Sequence, residues 1–394
     1  GDYTADYCII EGGFPGGTNI TDADPLFISA LAASTAPATG GDYRLQNCSP
    51  AINKGSNTFI PSGIASDLDG NKRIAYQRVD MGVYEKQNLV AVLPDANGII
   101  YVDETKNGNG SSWGNAVAEL SDALMAAGEN NAITQIWVAK GTYHPGYAAP
   151  DSINPFCNPS SNRYNSFKLV KNVKLYGGFA GGETSINNRD FINNETILSG
   201  DFNNDDVVSG SGNTLSISNN TENAYHVLLS AGDAGTAEID GFTIRSGKST
   251  DGPGIFYVNN VEIISYTKGA GMHICSSSPV IRNCTFMNNS ANEGGGIQIS
   301  YNATPIISNS SFVRNATILD GAGLNSGFSN IYWTVYYTLT DCIFSGNRAR
   351  YGAGIFNAGA YTSSSINISG CTFTGNSAYS GAGIYNSQYA SPHI

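Results

Sequence analysis

The chain has 394 residues, 47 of them glycine and only 13% charged, which is ample for a buried core and suits a β-rich solenoid better than a disordered chain. A net charge of −12, with no basic stripe and no RNA-binding motif, argues against nucleic acid as a partner, and no apolar run is long enough to span a membrane. Seven cysteines without a Cys-x-x-Cys pair argue against zinc, and the Asn/Ser/Thr-rich, Lys-poor composition favours an extracellular setting.

In chain order, Cys8 and Cys48 are the candidate disulfide partners. Neither an initiator Met nor a signal peptide is present, so a mature or excised segment is expected. Asp67-x-Asp69-x-Asn71 has the alternate oxygen spacing of a calcium loop, although Asp69-Gly70-Asn71 is equally a plain turn signal. A helix is predicted from about 115 to 127, where Ala116, Leu120, Ala123, Leu124 and Ala127 form one apolar stripe. Such a helix would cap the unpaired edge of a stack of strands. Val173–Phe179 and Glu195–Gly200 read as strands. Asp201-x-Asn203-x-Asp205, with Asp206, repeats the calcium-type spacing but lacks the glycine and distal Glu of an EF-hand. Calcium is the candidate cation at both loops, in a stiffening role, and no cofactor is required.

Beyond Ile239–Ile244 the chain becomes periodic. Gly-x-Gly-aliphatic motifs start at Gly269, Gly294, Gly321, Gly352 and Gly381, spaced by 25, 27, 31 and 29 residues. A second motif, Cys284-Thr285-Phe286, Ser310-Ser311-Phe312, Cys342-Ile343-Phe344 and Cys371-Thr372-Phe373, precedes the next glycine motif by 10 or 11 residues each time. One arm is therefore fixed and the other elastic, the signature of a solenoid with loops on one face. Short period-2 stretches, glycine corners and Asn-rich turns predict an all-β fold, a parallel β-helix with rungs roughly 4.8 Å apart, right-handed by the rule for parallel crossovers. Alternation turns the Cys and Phe positions inward, so Cys284, Cys342 and Cys371 form a buried thiol column. The elastic arm carries Phe328, Tyr332, Trp333, Tyr336 and Tyr337, which either anchor a loop or present a surface to a sugar or a protein partner.

Catalytic constellations are sparse. Aligning the glycine corners puts Lys268, Glu293 and Asp320 in one column, with the two carboxylates on neighbouring rungs roughly 5 Å apart, inside the range a glycosidase uses. That column continues as Tyr351 and Ser380, and acidic residues at solvated corners are ordinary. The histidines, His144, His226, His273 and His393, are expected to be isolated surface or loop residues, with no triad among them.

Ile100-Tyr101-Val102-Asp103, Gly110-Ser111-Ser112-Trp113-Gly114-Asn115-Ala116, Ile136-Trp137-Val138-Ala139-Lys140-Gly141-Thr142-Tyr143, Leu175-Tyr176-Gly177-Gly178-Phe179 and Thr196-Ile197-Leu198-Ser199-Gly200-Asp201 together resemble the opening of large, adhesin-like right-handed β-helix proteins of the Bacteroidota cell surface, a type IX-secreted class. Asp24-Pro25-Leu26-Phe27, Ser49-Pro50-Ala51-Ile52-Asn53-Lys54-Gly55, Asp67-Leu68-Asp69-Gly70-Asn71-Lys72-Arg73 and Asp80-Met81-Gly82-Val83-Tyr84-Glu85 resemble the closing coil and terminal cap or anchor-type segment of such proteins. The resemblance implies residues 1–87 as the final coil and cap of a preceding unit, 88–98 as a linker, and 99–394 as a β-helix with an N-terminal capping helix, truncated in its last coil. A window on a tandem array and head-to-tail stacking of copies both fit that order, and both place a partner surface at the last coil. Asp151-Ser152-Ile153 is similar to the O-glycosylation signal of Bacteroidota, at Ser152. The implied function is structural and adhesive, non-enzymatic, extracellular, with other copies, adjacent repeats, glycans or cell-surface components as partners. A polysaccharide lyase or glycoside hydrolase and a carbohydrate-binding module are the alternatives.

Overall fold

A computed structural model describes residues 4–35, 37, 39–46, 49–74, 79–86, 92–149, 162–252, 254–263, 266–327, 335–358, 366–387, 390 and 392–394. The chain forms two compact units, one within residues 1–91 and the other comprising 92–149 and 162–394.

In the first unit, Asp6–Ile9 pairs in parallel with Thr18–Thr21, and Phe27–Ser29 pairs antiparallel with Asp42–Leu45. Leu45, Ala51 and Ile52 form its core, with Ile9, Phe27 and Met81 packed against them. Polar groups close the unit: Arg73 pairs with the buried Glu85 at 2.8 Å, and the Asp80 carboxylate accepts the backbone N–H groups of Asn53 and Lys86.

The second unit is a stack of coils whose strands fall into one eight-stranded and two seven-stranded sheets, with parallel pairing throughout these three. Period-2 alternation makes each sheet contribute one inward column. Ile281, Ile307, Leu339 and Ile368 lie in register on the eight-stranded sheet. Phe286, Phe312, Phe344 and Phe373 do so on the second. Met272, Ile297, Leu324, Ile355 and Ile384 do so on the third. These three columns fill the lumen, so the core is a run of repeated contacts rather than a single cluster.

The corners follow from backbone conformation. Gly269, Gly294, Gly321, Gly352 and Gly381 all have φ between 60 and 73°, the left-handed region that glycine enters without steric cost. At the next corner a left-handed residue, Asn288, Arg314, Gly346 or Gly375, precedes an asparagine that turns inward. Asn315 Nδ2 donates to Asn347 Oδ1 at 3.1 Å and to the Phe286 carbonyl at 2.9 Å, and Asn289 and Asn347 repeat this on their own rungs.

The helix runs from Leu120 to Glu129, later than the expected 115–127. Ala116 and Val117 are instead extended, and Val117 bridges in parallel to Val102. The edge strand Ile99–Val102 is therefore covered directly by the loop ahead of the helix. Tyr101 N donates to the Gly110 carbonyl, and Val117 N donates to the Tyr101 carbonyl. All five stripe residues are buried as expected. Residues 92–98 belong to the second unit rather than to a free linker. Val92 is buried, Leu93 N donates to the Asn109 carbonyl, and Asp95 accepts from Asn97 N and Ile99 N. Among the described residues no helix is long and apolar enough to cross a membrane.

Candidate functional site

The glycine corner brings Lys268 and Glu293 together as a parallel bridge, and the next rung follows through Gly294 N, which donates to the Asp320 carbonyl at 3.1 Å. Lys268 Nζ lies 2.7 Å from Glu293 Oε2, with side chains only 13% and 19% exposed. Asn325 Nδ2 donates to the same oxygen at 3.2 Å. Asp320 is half-buried. Its carboxyl is pushed up to about 6, first by burial and then by the Glu293 charge, against the opposing pull of Lys268 and Arg350. The predicted column is therefore one carboxylate paired with Lys268 beside one carboxyl pushed up to about 6, with Tyr351 and Ser380 continuing it.

A second group forms where the chain leaves the strand Thr196–Ser199. Asp201 is buried and accepts the backbone N–H groups of Asp205 at 3.3 Å and Asp206 at 3.1 Å. Carboxylate oxygens of Asp201, Asp205 and Glu222 lie within 4.8 Å of one another. Asn203 is exposed on the same loop. Glu222 is raised by burial first and further by the charges of Asp205 and Asp201, and its Oε1 is shielded from solvent without a hydrogen-bond partner. Asp206 is raised by burial and by the same two charges, against hydrogen bonds from Ser246 and Asn223. These hard oxygens could hold calcium, whose charge would relieve the crowding. Glu222 escapes the sequence reading because the hairpin of Val207–Ser209 and Ser216–Ser218 separates it from the aspartates.

At the other predicted calcium loop the oxygens are already engaged. Asp67 Oδ1 accepts Asp69 N at 3.0 Å and Asn71 N at 2.8 Å, its Oδ2 accepts Glu85 N, and Asp69 pairs with Arg44 at 2.6 Å. That is the bonding of an Asp-capped turn. Of the aromatic cluster, Tyr332, Trp333 and Phe328 lie outside the described residues, as do Ser152 and Cys48. Tyr336 is 38% exposed, whereas Tyr337 is buried and its hydroxyl bonds Asn357 Oδ1, so Tyr337 is a core residue and not a surface contact. Alternation along Tyr337–Thr340 explains this correction, because Tyr337 and Leu339 share the inward face.

Cys8 is half-buried, with its thiol donating to the Asp6 carbonyl at 3.2 Å. Cys284 and Cys342 are buried and Cys371 partly so, and Ser310 takes the intervening rung, its Oγ accepting Cys284 N. Burial pushes the Cys284 thiol up to about 12. The histidine expectation is corrected: His226 and His273 are fully buried neighbours with ring centroids 5.7 Å apart. His273 lies on the strand Met272–Cys275, on the face opposite the inward Met272, and His226 lies just ahead of the strand Leu228–Ala231, stacked against Phe256 and Tyr266. Burial holds both neutral, pushing His226 down to about 4.

No curated protein and no solved structure matches the chain. Stacked parallel sheets, three inward columns and glycine corners are the architecture of an all-β, right-handed parallel β-helix, and residues 207–394 match the family model described as "Right handed beta helix region".

Proposed function

We propose that the chain is a structural and adhesive segment of an extracellular bacterial surface or filament protein, with no catalysis of its own. The observation that carries this reading is the continuity of the lumen. The Phe and Asn columns pass from coil to coil without a break between residues 286 and 376, so each rung templates the next. Nearest-neighbour coupling of that kind makes a stiff spacer, able to hold a surface away from its anchorage. The Asn/Ser/Thr-rich, Lys-poor exterior supports an extracellular setting, and adjacent repeats or copies of the chain are the natural partners of stacked coils.

One observation favours a polysaccharide-active reading: Asp320, its carboxyl pushed up to about 6 by burial and by the Glu293 charge, sits on the rung after Glu293. Against it, Glu293 is tied to Lys268 and Asn325. Two measurements decide. Imaging of source material should show filaments or rods whose axial repeat fits this unit, and assays on acidic and neutral glycans should show no turnover. Turnover that disappears in Glu293→Ala or Asp320→Ala would reject the non-enzymatic reading.

A further inference from the structure

A groove of about 510 Å³ runs along the outside of the second unit, over the short three-stranded sheet of Lys248–Ser249, Ser290–Ala291 and Ala316–Thr317. Register sets its dimensions. Lys248, Ser290, Ala316 and Arg348 occupy one column on consecutive rungs, so Lys248 and Arg348 stand three rungs, roughly 14 Å, apart along the axis. The middle rungs carry only Ser and Ala, which leaves a hollow between the two long cations. The hairpin of Val207–Ser209 and Ser216–Ser218 forms one wall and places Ile217 in the groove. Gly212 N at its tip donates to the Gly346 carbonyl at 2.9 Å, and a Cβ on Gly212 would meet the Gly375 carbonyl at 2.7 Å, so the wall can approach this closely only with glycine there.

The lining opposes the composition of the chain. The protein carries 32 acidic and 20 basic residues, yet among the described residues Lys248, Arg348 and Arg350 line the groove and no Asp or Glu does. Arg348 and Arg350 are exposed, and neither forms an ion pair among the described residues. Lys248 lies 3.3 Å from Asp251, but that carboxylate is held by both terminal nitrogens of Arg163 at 2.7 and 3.1 Å, so the local sum stays positive. Thr250, Ser290 and Asn220 bring hydroxyl and amide groups to the interval, beside apolar Ile217 and Ile318. Tyr379, 85% exposed, follows Arg350 on the next rung, its N–H donating to the Arg350 carbonyl at 3.0 Å.

We propose that this groove binds an acidic polysaccharide laid along the β-helix axis. Its carboxylate or sulfate groups would meet Arg348 and Arg350 at one end and Lys248 at the other. Sugar hydroxyls would bond the intervening polar groups, and a ring face would stack on Tyr379. The proposal deepens the adhesive reading and rests on it. A sugar polymer is favoured over nucleic acid because the net charge of −12 repels a dense phosphate backbone, whereas widely spaced anions can reach the cations at the two ends of the groove.

The test uses the full chain with size-fractionated oligogalacturonate, dextran sulfate, neutral dextran and a single-stranded DNA oligomer, titrated calorimetrically at low and physiological salt. One or both anionic glycans should bind, the choice between them separating carboxylate from sulfate recognition, and binding should weaken with salt. The double variant Arg348→Ala/Arg350→Ala should bind about 10-fold more weakly with an unchanged melting temperature, while Lys171→Ala, outside the groove, should stay within about 2-fold. Tyr379→Ala should weaken glycan binding about 5-fold. Absence of anionic-glycan binding at low salt, equal binding of neutral dextran, tighter binding of DNA, or wild-type affinity in the double variant would each overturn the proposal. If binding is absent but the source material still forms rods, the structural reading survives; if the bound glycan is cleaved, the groove survives and the non-enzymatic reading falls.

Discussion

Phe312 and Phe344 stack with ring centroids 4.5 Å apart and planes within 2° of parallel. Isolated aromatic pairs prefer offset or edge-on arrangements, so this geometry is imposed by the rung spacing, and Phe286 and Phe373 extend it. Phe312 is fully buried with a neighbour on each side. Phe312→Ala should cost about 3 to 5 kcal/mol in denaturant unfolding, because the rungs cannot close over the cavity without losing register. A cost below about 1 kcal/mol would show that the column does not set stability.

The asparagine ladder should be as demanding. Asn315 Oδ1 accepts Asn289 N and Asn289 Nδ2, each at 3.1 Å, while its Nδ2 donates to Asn347 and Phe286. Asn315→Leu keeps the number of side-chain heavy atoms but orphans buried donors on the neighbouring rung. A loss of about 2 to 4 kcal/mol is expected, with faster amide exchange at Asn289. Unchanged exchange at that amide would mean that water replaces the ladder.

Much of this fold is legible in the sequence because its parts are local. Alternation assigns Phe286 and Phe312 to the lumen, and a glycine before each third strand marks a left-handed corner. What is not legible depends on insertions of unequal length. The hairpin of Val207–Ser209 and Ser216–Ser218 hides the approach of Glu222 to Asp201, and register across several coils is needed before Lys248 and Arg348 share a column. His226 and His273 were obscured for another reason. A neutral imidazole can be buried if part of its polarity is met, here by the Gly269 carbonyl at 3.0 Å and Ser300 Oγ at 3.2 Å, and residue type alone does not reveal such partners.

One buried and one half-buried carboxyl make a pH prediction. Asp80 and Asp320 are each pushed up to about 6, mainly by burial, against roughly 3.9 in an unfolded chain. Between those values the native state holds protons that the unfolded state has released. Their contribution to stability therefore falls as pH rises from about 4 to about 6, then levels off. Asp320→Asn should stabilise the second unit at pH 7.5 by about 1 kcal/mol, a figure reduced for the half-exposed site, and should have little effect at pH 4. Subtracting the variant's pH profile from that of the parent removes the opposite slope contributed by salt-bridged carboxylates such as Asp251 and Asp233. A difference that grows toward acid would contradict the assignment.

Calcium should act at the base of the hairpin. Asp201 and Asp205 enter it and Glu222 leaves it, with their oxygens within 4.8 Å of one another and Glu222 raised by the mutual repulsion as well as by burial. A divalent cation bound only by the folded chain stabilises it by mass action, about 2.7 kcal/mol at a hundredfold excess over Kd. Millimolar calcium should therefore raise the melting temperature and slow proteolysis within residues 207–218, and a chelator should reverse both. Glu222→Gln separates this from a general salt effect, because it removes both a ligand charge and a source of repulsion. The variant should equal or exceed the parent in stability without calcium, yet respond to calcium weakly or not at all. If parent and variant respond alike, the three carboxylates are a solvated turn rather than a cation site.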